Sequence, residues 1–310
     1  MWDNKRYHSL DYELKRKYGH KVYKLSLNGG MSCPNRDGTL GRRGCIFCSQ
    51  GGSGDFAAPA AMSVTKQIEY AKNLIQAKIK NSDGTKYIAY FQAYTNTYAP
   101  VSYLRKIFME AIMHPDILIL SIATRPDCID DEILDLLAEL NSIKPVWIEL
   151  GLQTIHETSA NFIRRGYSLG VFENQVYNLR EKNIDVIVHT ILGLPNESKN
   201  DMLMTMEYLS SLPIQGVKLQ LLHILKDTDL GRMYEEGLVS TLDLDSYIDI
   251  LISCLELLSP DIVIHRLTGD GPKDKLLAPL WSSNKKLVLN SIYKEMKDRD
   301  SYQGKCFKRI

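Results

Sequence analysis

Short apolar runs alternate along this chain with longer stretches whose apolar residues recur at helical spacing. Residues 21–27 (KVYKLSL) read as a first strand, and Ile68, Ala71, Leu74, Ile75 and Ile79 then mark a helix over 65–80. The alternation repeats as strand 87–91 with helix 101–113, 117–122 with 130–140, and 146–152 with helices across 155–181. It continues as 186–192 with 199–210, and 216–224 followed by 228–236. Six strand–helix units in succession predict an α/β fold around a parallel sheet. No internal repeat or linker interrupts them, so a single compact domain with terminal additions is expected.

Both faces of such a sheet are covered, so its strands are apolar by default and polar exceptions carry information. Period-two alternation in 146–153 (VWIELGLQ) sets Trp147, Glu149, Gly151 and Gln153 on one face and Val146, Ile148, Leu150 and Leu152 on the other. Lys218 and Gln220 stand out in the same way on the sixth strand, and His189 interrupts an apolar fifth. Polar groups are costly in a dry core, so this cluster on adjacent strands predicts a lined cavity, with Glu149, His189, Lys218 and Gln220 as candidate catalytic residues.

Composition narrows the picture only a little. The 310 residues are 44% hydrophobic and 24% charged, near globular averages, and suit either two ordinary domains or one α/β barrel with extensions. No long uncharged apolar run and no export signal is evident, which predicts a cytoplasmic protein with no membrane segment. The net charge is +1, but both ends are basic: seven Lys/Arg against three Asp/Glu in 1–24, and eight against three in 285–310. If the ends meet, Lys5, Arg6, Lys15, Arg16, Lys17, Lys285, Lys286, Lys294, Lys297 and Arg299 form one cationic patch suited to nucleic-acid phosphates.

Candidate redox chemistry lies in residues 29–53, where Cys33, Cys45 and Cys48 follow a C-x11-C-x2-C spacing. Three thiolates on a glycine-rich loop can hold three irons of a [4Fe-4S] cluster and leave the fourth iron open to a small molecule. A zinc site, which usually adds a fourth Cys or His, and a redox C-x-x-C pair, which leaves Cys33 without a role, are alternative readings of the same residues. Cys128, Cys254 and Cys306 stand alone and read as packing or surface thiols.

The C-x2-C pair with Phe47 before its last cysteine resembles the cluster loop of radical S-adenosylmethionine (SAM) enzymes. The first gap is eleven residues where that superfamily usually has three. This narrows the resemblance to the YtqA/YhcC-like radical SAM proteins and the related radical SAM half of the elongator catalytic subunit. Other strand ends extend the likeness. Gln92, Ala93, Tyr94 and Thr95 occupy the place of a Gly-Gly-Glu-like segment that grips the SAM amino group, though without its acidic residue. Residues 123–127 (ATRPD) resemble an elongator-type Glu-Thr-Arg-Pro-Asp, with Ala123 replacing the glutamate. Residues 151–154 (GLQT) and 164–167 (RRGY) are similar to Gly-x-Gln and Arg-Gly-His elements of that branch. Leu192 and Gly193 open a turn like the adenine-side Gly-Leu-Pro, and His223 follows the sixth strand. Residues 264–270 and 299–305 also match the YtqA/YhcC-like group.

The resemblance implies a partial (β/α)6 TIM-like barrel over 21–240, with extensions at 1–20 and 241–310, and a [4Fe-4S] cluster on Cys33, Cys45 and Cys48. It implies SAM contacts from Gln92, Ala93, Tyr94, Thr95, Arg125, Gln153, Arg165, Leu192, Gly193 and His223. Arg165 is the expected clamp on the SAM carboxylate, since a guanidinium fork can donate two parallel hydrogen bonds, and Arg125 is next in line. The implied reaction is reductive cleavage of SAM to a 5′-deoxyadenosyl radical that abstracts a hydrogen from substrate, with a flavodoxin or ferredoxin as low-potential electron donor. Likeness to elongator suggests a tRNA substrate, modified on the C5 side of the wobble uridine, held by the basic ends and stacked on Tyr94 or Tyr98. A small-molecule or tetrapyrrole substrate is the alternative within the same chemistry. A non-enzymatic RNA-binding or electron-transfer protein is the alternative outside it.

Overall fold

The computed structural model describes residues 2–52, 54–79, 84–269 and 271–308. Position 53 of the cysteine loop, the expected helix end at 80, Asp270 and the last two residues of the basic tail lie outside them. Six strands alternate with helices as the pattern predicts: β1 (Tyr23–Leu27), β2 (Tyr87–Phe91), β3 (Ile117–Thr124), β4 (Val146–Gln153), β5 (Asp185–Leu192) and β6 (Gly216–Leu221). All neighbours pair in parallel and in sequence order. The helices that connect them are α2 (Val64–Ile75), α3 (Val101–Ile112), α4 (Asp131–Ile143), α5 (Glu157–Phe162), α6 (Leu169–Glu181) and α7 (Lys199–Ser211), and α1 (Leu10–Tyr18) precedes β1. Several begin on a side-chain cap: Ser63, Asp130, Ser168 and Ser198 each accept from a backbone N–H of the first turn.

The outer faces of the strands carry the main core. Ile148, Leu150 and Leu152, the apolar half of the β4 alternation, are fully buried in one cluster with Leu136, Leu137 and Leu140 of α4. The inner faces form two layers. Ile88, Ile119, Trp147 and Ile187, near the amino ends of four strands, pack with Leu14 of α1, so that helix closes the amino end of the barrel. Above them lies the polar layer.

Two features depart from the expected six units. The run predicted over 216–224 stops pairing with β5 at Leu221, and β7 (Ile224–Leu225) leaves to form an antiparallel ribbon with β9 (Leu276–Ala278). The C-terminal extension is also no mere addition to the barrel. After α8 (Asp229–Glu235) and the apolar helix α9 (Leu244–Leu257), β8 (Val263–Arg266) pairs in parallel with β6 as a seventh strand of the sheet. Helix α10 (Lys285–Asp298) then packs on α9.

The two chain ends do meet. Ser9 bridges to Ile264 of β8, Arg6 pairs with Asp300 at 2.9 Å, and buried Gln303 accepts from the His8 N–H while donating to the carbonyls of Ser259 and Ile262. The expected patch is nonetheless corrected in position and charge. Its amino-terminal half lies on and beside α1 at the closed end of the barrel, its carboxyl-terminal half lies on and after α10, which packs on α9, and Lys15, Arg16, Arg6 and Arg299 are paired with Asp11, Glu13, Asp300 and Asp249. Lys285 and Lys286, following the turn whose Ser282 bonds His223, lie toward the carboxyl end.

Candidate active site

Cys33, Cys45 and Cys48 sit on the loop between β1 and α2, at the carboxyl ends of the strands where barrel proteins assemble their sites. The turn after β2 fastens this loop. Tyr94 N–H donates to the Gly52 carbonyl at 2.8 Å, Thr95 N–H to Ser32 at 3.2 Å, and the Tyr94 hydroxyl to the Gln50 carbonyl. The close approach requires glycine: a Cβ on Gly54 would lie 2.4 Å from that of Ala93, and Gly52, with φ +57°, would drive one into the Tyr94 ring. Arg36 ties the loop to itself, donating to the carbonyls of Cys48 at 2.9 Å and Ser49 at 2.6 Å.

All three cysteines line a cavity that runs from the loop into the barrel. Gln92, Tyr94, Thr95, Arg125, Glu149, Gln153, Arg165, His189, Lys218 and Gln220 line it as well, so thirteen of the seventeen residues singled out from sequence converge on one space. His223 lines the adjoining depression. Ala93 does not reach the cavity, since its side chain is buried beneath Gly54, and neither do Leu192, which faces the outer core, or Gly193, which packs against Leu242. Tyr98 bonds Thr39 at 2.9 Å and faces a separate depression behind the cysteine loop.

At the inner end of the cavity four cationic or neutral donors converge on one buried carboxylate. Glu149 accepts from Lys24 at 2.6 Å, Ser121 at 2.7 Å, His189 at 2.6 Å and Lys218. Lys218 also donates to the Tyr90 hydroxyl at 3.1 Å, and both ammonium groups lie 4.5 Å from the Tyr90 ring centroid, a cation–π arrangement. Burial pushes the Glu149 carboxyl up, but Lys218, Lys24 and His189 outweigh it and hold it well below the usual carboxylate range. Burial, and then Lys218, brings the His189 imidazole down to about 4, so it is neutral at pH 7 and donates Nε2–H to the carboxylate. Burial lowers Lys218 well below an ordinary lysine despite the pull of Glu149.

Arg165, the expected carboxylate clamp, lines the cavity and is also tied into the surrounding backbone. Its guanidinium is 1% exposed and donates to the carbonyls of Tyr167, Leu152 and Thr154 and to Glu157, at 2.7–3.1 Å. Its fork is thus spent on the turn that carries Gln153, which itself adopts φ +63° at the end of β4. Arg125 is similarly held, donating bidentately to Asp127 at 2.7 and 2.9 Å and to the Arg165 carbonyl.

The donor set fits an iron–sulfur cluster better than zinc. A tetrahedral zinc site would draw sulfurs to about 3.8 Å from one another. The three Sγ atoms are not all within 4.8 Å of each other, and among the described residues only Glu69, His114 and Asp116 form a group that compact. Burial, and then the neighbouring Cys48, pushes the Cys45 thiol up to about 12. Thiolates at this spot therefore call for a positively charged partner, which bound metal supplies.

Comparison with known proteins decides the family. The Radical SAM superfamily profile matches residues 38–209, and the Radical_SAM C-terminal domain matches 214–298. The chain belongs to the radical SAM superfamily. Proteins of this family use a [4Fe-4S] cluster and S-adenosylmethionine. The chain is 46% identical over 306 residues to Uncharacterized protein YtqA of Bacillus subtilis, covering 99% of this chain and 94% of that one. It is 37% identical over 274 residues to Protein YhcC of Escherichia coli, covering 88% and 86%. Among solved structures, the archaeal Methanocaldococcus infernus Elp3 with an N-terminal deletion shares the fold at TM-score 0.69 and 15% identity, over 91% of this chain and 64% of that one. No helix among the described residues is long and apolar enough to cross a membrane.

Sequence reasoning missed Lys24, Arg36, Tyr90 and Ser121, and reached Tyr167 only within the quoted 164–167 segment. Lys24 carried a usable signal, a lysine alternating with the apolar Leu25 and Leu27 of the first strand. Arg266 was visible only within a quoted segment, because a four-residue strand ending His-Arg carries no periodicity.

Proposed function

We propose that this chain is an enzyme that binds a [4Fe-4S] cluster through Cys33, Cys45 and Cys48 and abstracts a hydrogen from a substrate held in the barrel. One observation carries the reading: the three cysteines and the Glu149–Lys218–His189 group bound opposite ends of a single cavity. When bound, the cluster and SAM supply a one-electron cleavage that yields a 5′-deoxyadenosyl radical. The chain's own residues do the rest. Gln92 and Gln153, which line both connected spaces, offer amides for orienting polar groups of SAM and substrate. Arg36 and Tyr94 wall the cavity beside the loop and keep bulk water from it. Glu149, His189, Lys218 and Gln220 stand on the substrate side, where Lys218 can donate or accept a proton.

We further propose tRNA as the substrate, modified on the C5 side of the wobble uridine. The elongator-like segments 123–127, 151–154 and 164–167 support it, as does the likeness of fold to Elp3. With the α1 cations at the closed end, phosphate contacts at the mouth fall instead to exposed Arg42 and Arg43 of the cysteine loop and to Lys285 and Lys286. Tyr94 is the aromatic placed to stack an unpaired base. A small-molecule substrate is favoured instead by the enclosed, charged inner end of the cavity. Anaerobically reconstituted protein, given SAM and a reductant such as reduced flavodoxin, is expected to form 5′-deoxyadenosine faster when tRNA is present. No tRNA effect, together with unchanged wobble uridines in a strain lacking the protein, would remove the RNA reading and leave the small molecule.

A further inference from the structure

The eleven residues between Cys33 and Cys45 do not form an open loop. Gly44 N–H donates to the Asn35 carbonyl at 2.8 Å, so the chain leaves at Asn35 and comes back beside it. Pinching off 36–43 leaves Pro34, Asn35 and Gly44 between the two cysteines, the three-residue gap usual in the radical SAM superfamily. The excursion is bonded to itself and to its stem. Leu40 N–H and Gly41 N–H donate to the Pro34 carbonyl at 2.8 and 3.2 Å, Gly38 N–H donates to the Gly41 carbonyl at 3.1 Å, and the Asp37 carboxylate accepts from Thr39 N–H at 3.0 Å. Compact surface loops whose ends lie together are common carriers of function. The stem is anchored separately: Asn35, 6% exposed, donates to the carbonyls of Arg164 and Arg165 at 2.8 and 3.2 Å and to Cys45 Sγ at 3.5 Å. The tip faces solvent. Leu40 is 55% exposed, and Arg42 and Arg43 are exposed with no ion pair or hydrogen bond to any described residue. With Arg164, whose charge Asp229 balances, they line a depression beside the cysteine loop that has no carboxylate among its described lining residues. A second depression, behind the loop, is lined by Leu40 and Tyr98, and its carboxylates are engaged, Asp127 by Arg125 and Asp130 by the first turn of α4.

We propose that residues 36–43 are a recognition insert in a three-residue cysteine gap: the cluster is held without them, and their tip holds the nucleic acid. Arg42 and Arg43 supply two unpaired guanidinium forks for phosphates, and Leu40 and Tyr98 supply apolar and aromatic surface for a neighbouring sugar or base. The inference rests on the tRNA reading. It adds to that reading the element that sets the RNA against the cysteine loop, since Asn35 at the foot of the insert bonds Cys45 directly.

The test uses the full chain, reconstituted anaerobically, and reads iron content together with tRNA affinity across a salt series. Leu40→Ser/Arg42→Ser/Arg43→Ser keeps the length of the insert and Arg36. It is expected to hold iron at the wild-type content while binding tRNA about tenfold more weakly, and the loss of two phosphate contacts should lower the slope of log affinity against log salt by about 1.4–1.8. Lys15→Ser/Lys17→Ser, on α1 at the closed end, should leave that slope unchanged. Deleting 36–43 joins Asn35 to Gly44 in a C-x3-C-x2-C spacing and is expected to keep the cluster. The carbonyls of Cys48 and Ser49 then lose Arg36, so the constant-length variant decides where the deletion does not fold. Wild-type affinity and salt slope in the triple variant, or loss of iron from either variant when folded, overturns the proposal and leaves the tRNA reading standing. No salt-sensitive tRNA binding by the wild type removes the tRNA reading and this inference with it. A triple variant that binds tRNA normally but is reduced more slowly by flavodoxin assigns the insert to an acidic protein instead, which also overturns the proposal.

Discussion

The two layers inside this barrel do opposite work with residues two positions apart on the same strands. Trp147 and Glu149 are successive inward positions of β4, as are Ile88 and Tyr90 of β2, Ile119 and Ser121 of β3, and Ile187 and His189 of β5. The lower member of each pair seals against α1, and the upper member joins the polar group at the inner end of the cavity. Stability and chemistry are thus stacked along the strand direction. A chain can therefore keep a closed, apolar foundation while placing an expensive buried charge cluster directly above it.

The largest expected effect of breaking this comparison lies at the top. Alanine at Cys33, Cys45 or Cys48 is expected to abolish the iron–sulfur absorption of reconstituted protein while leaving the metal-free fold intact, since none of the three is a core residue. Retention of a full cluster in Cys33→Ala would send the search for a ligand elsewhere. Truncation in the lower layer should do the reverse. Trp147→Ala is expected to cost about 3–5 kcal/mol of stability by denaturant titration, with iron content per folded chain unchanged. Arg165→Ala tests the turn above the upper layer and should cost about 2–4 kcal/mol, because several backbone carbonyls and Glu157 lose a buried donor. SAM affinity falling at unchanged melting temperature would return Arg165 to the role of clamp.

The smallest effect is a pH dependence. His189 binds a proton at about 4 in the fold but at 6.5 when unfolded, so the unfolded state holds more protons in between. Stability should accordingly fall as pH drops from 6.5 towards 4, and Glu149, whose carboxyl is held well below its ordinary range, adds to the loss at the acid end. His265, also lowered chiefly by burial, shares the window. His189→Gln is expected to flatten the slope of melting temperature against pH by roughly half, and an unaltered slope would place the titration elsewhere.

Much of the upper layer was legible in sequence because a parallel strand makes each inward polar residue conspicuous. Glu149, Gln153, Lys218 and Gln220 all reached the cavity for that reason, and the cysteines did so by spacing on one loop. Tyr90 was hidden because tyrosine is unremarkable in an apolar strand. The scaffold bonds of Arg165 were hidden because sequence gives a guanidinium's place and not the acceptors already around it. The seventh strand is too short for periodicity, and its pairing depends on α9 bringing it beside β6. That the basic ends meet stood only as a condition in the sequence reading. That they meet just before α1, against β8, follows only from the three-dimensional path of the chain.

The central claim is that the three cysteines leave one iron open to SAM inside this cavity. Electron paramagnetic resonance of the reduced, anaerobically reconstituted protein tests it most directly. The account predicts one [4Fe-4S] cluster per chain whose signal changes on adding SAM, with 5′-deoxyadenosine appearing under reducing conditions. A site that takes up zinc in place of iron, or a cluster whose signal is indifferent to SAM, would contradict it.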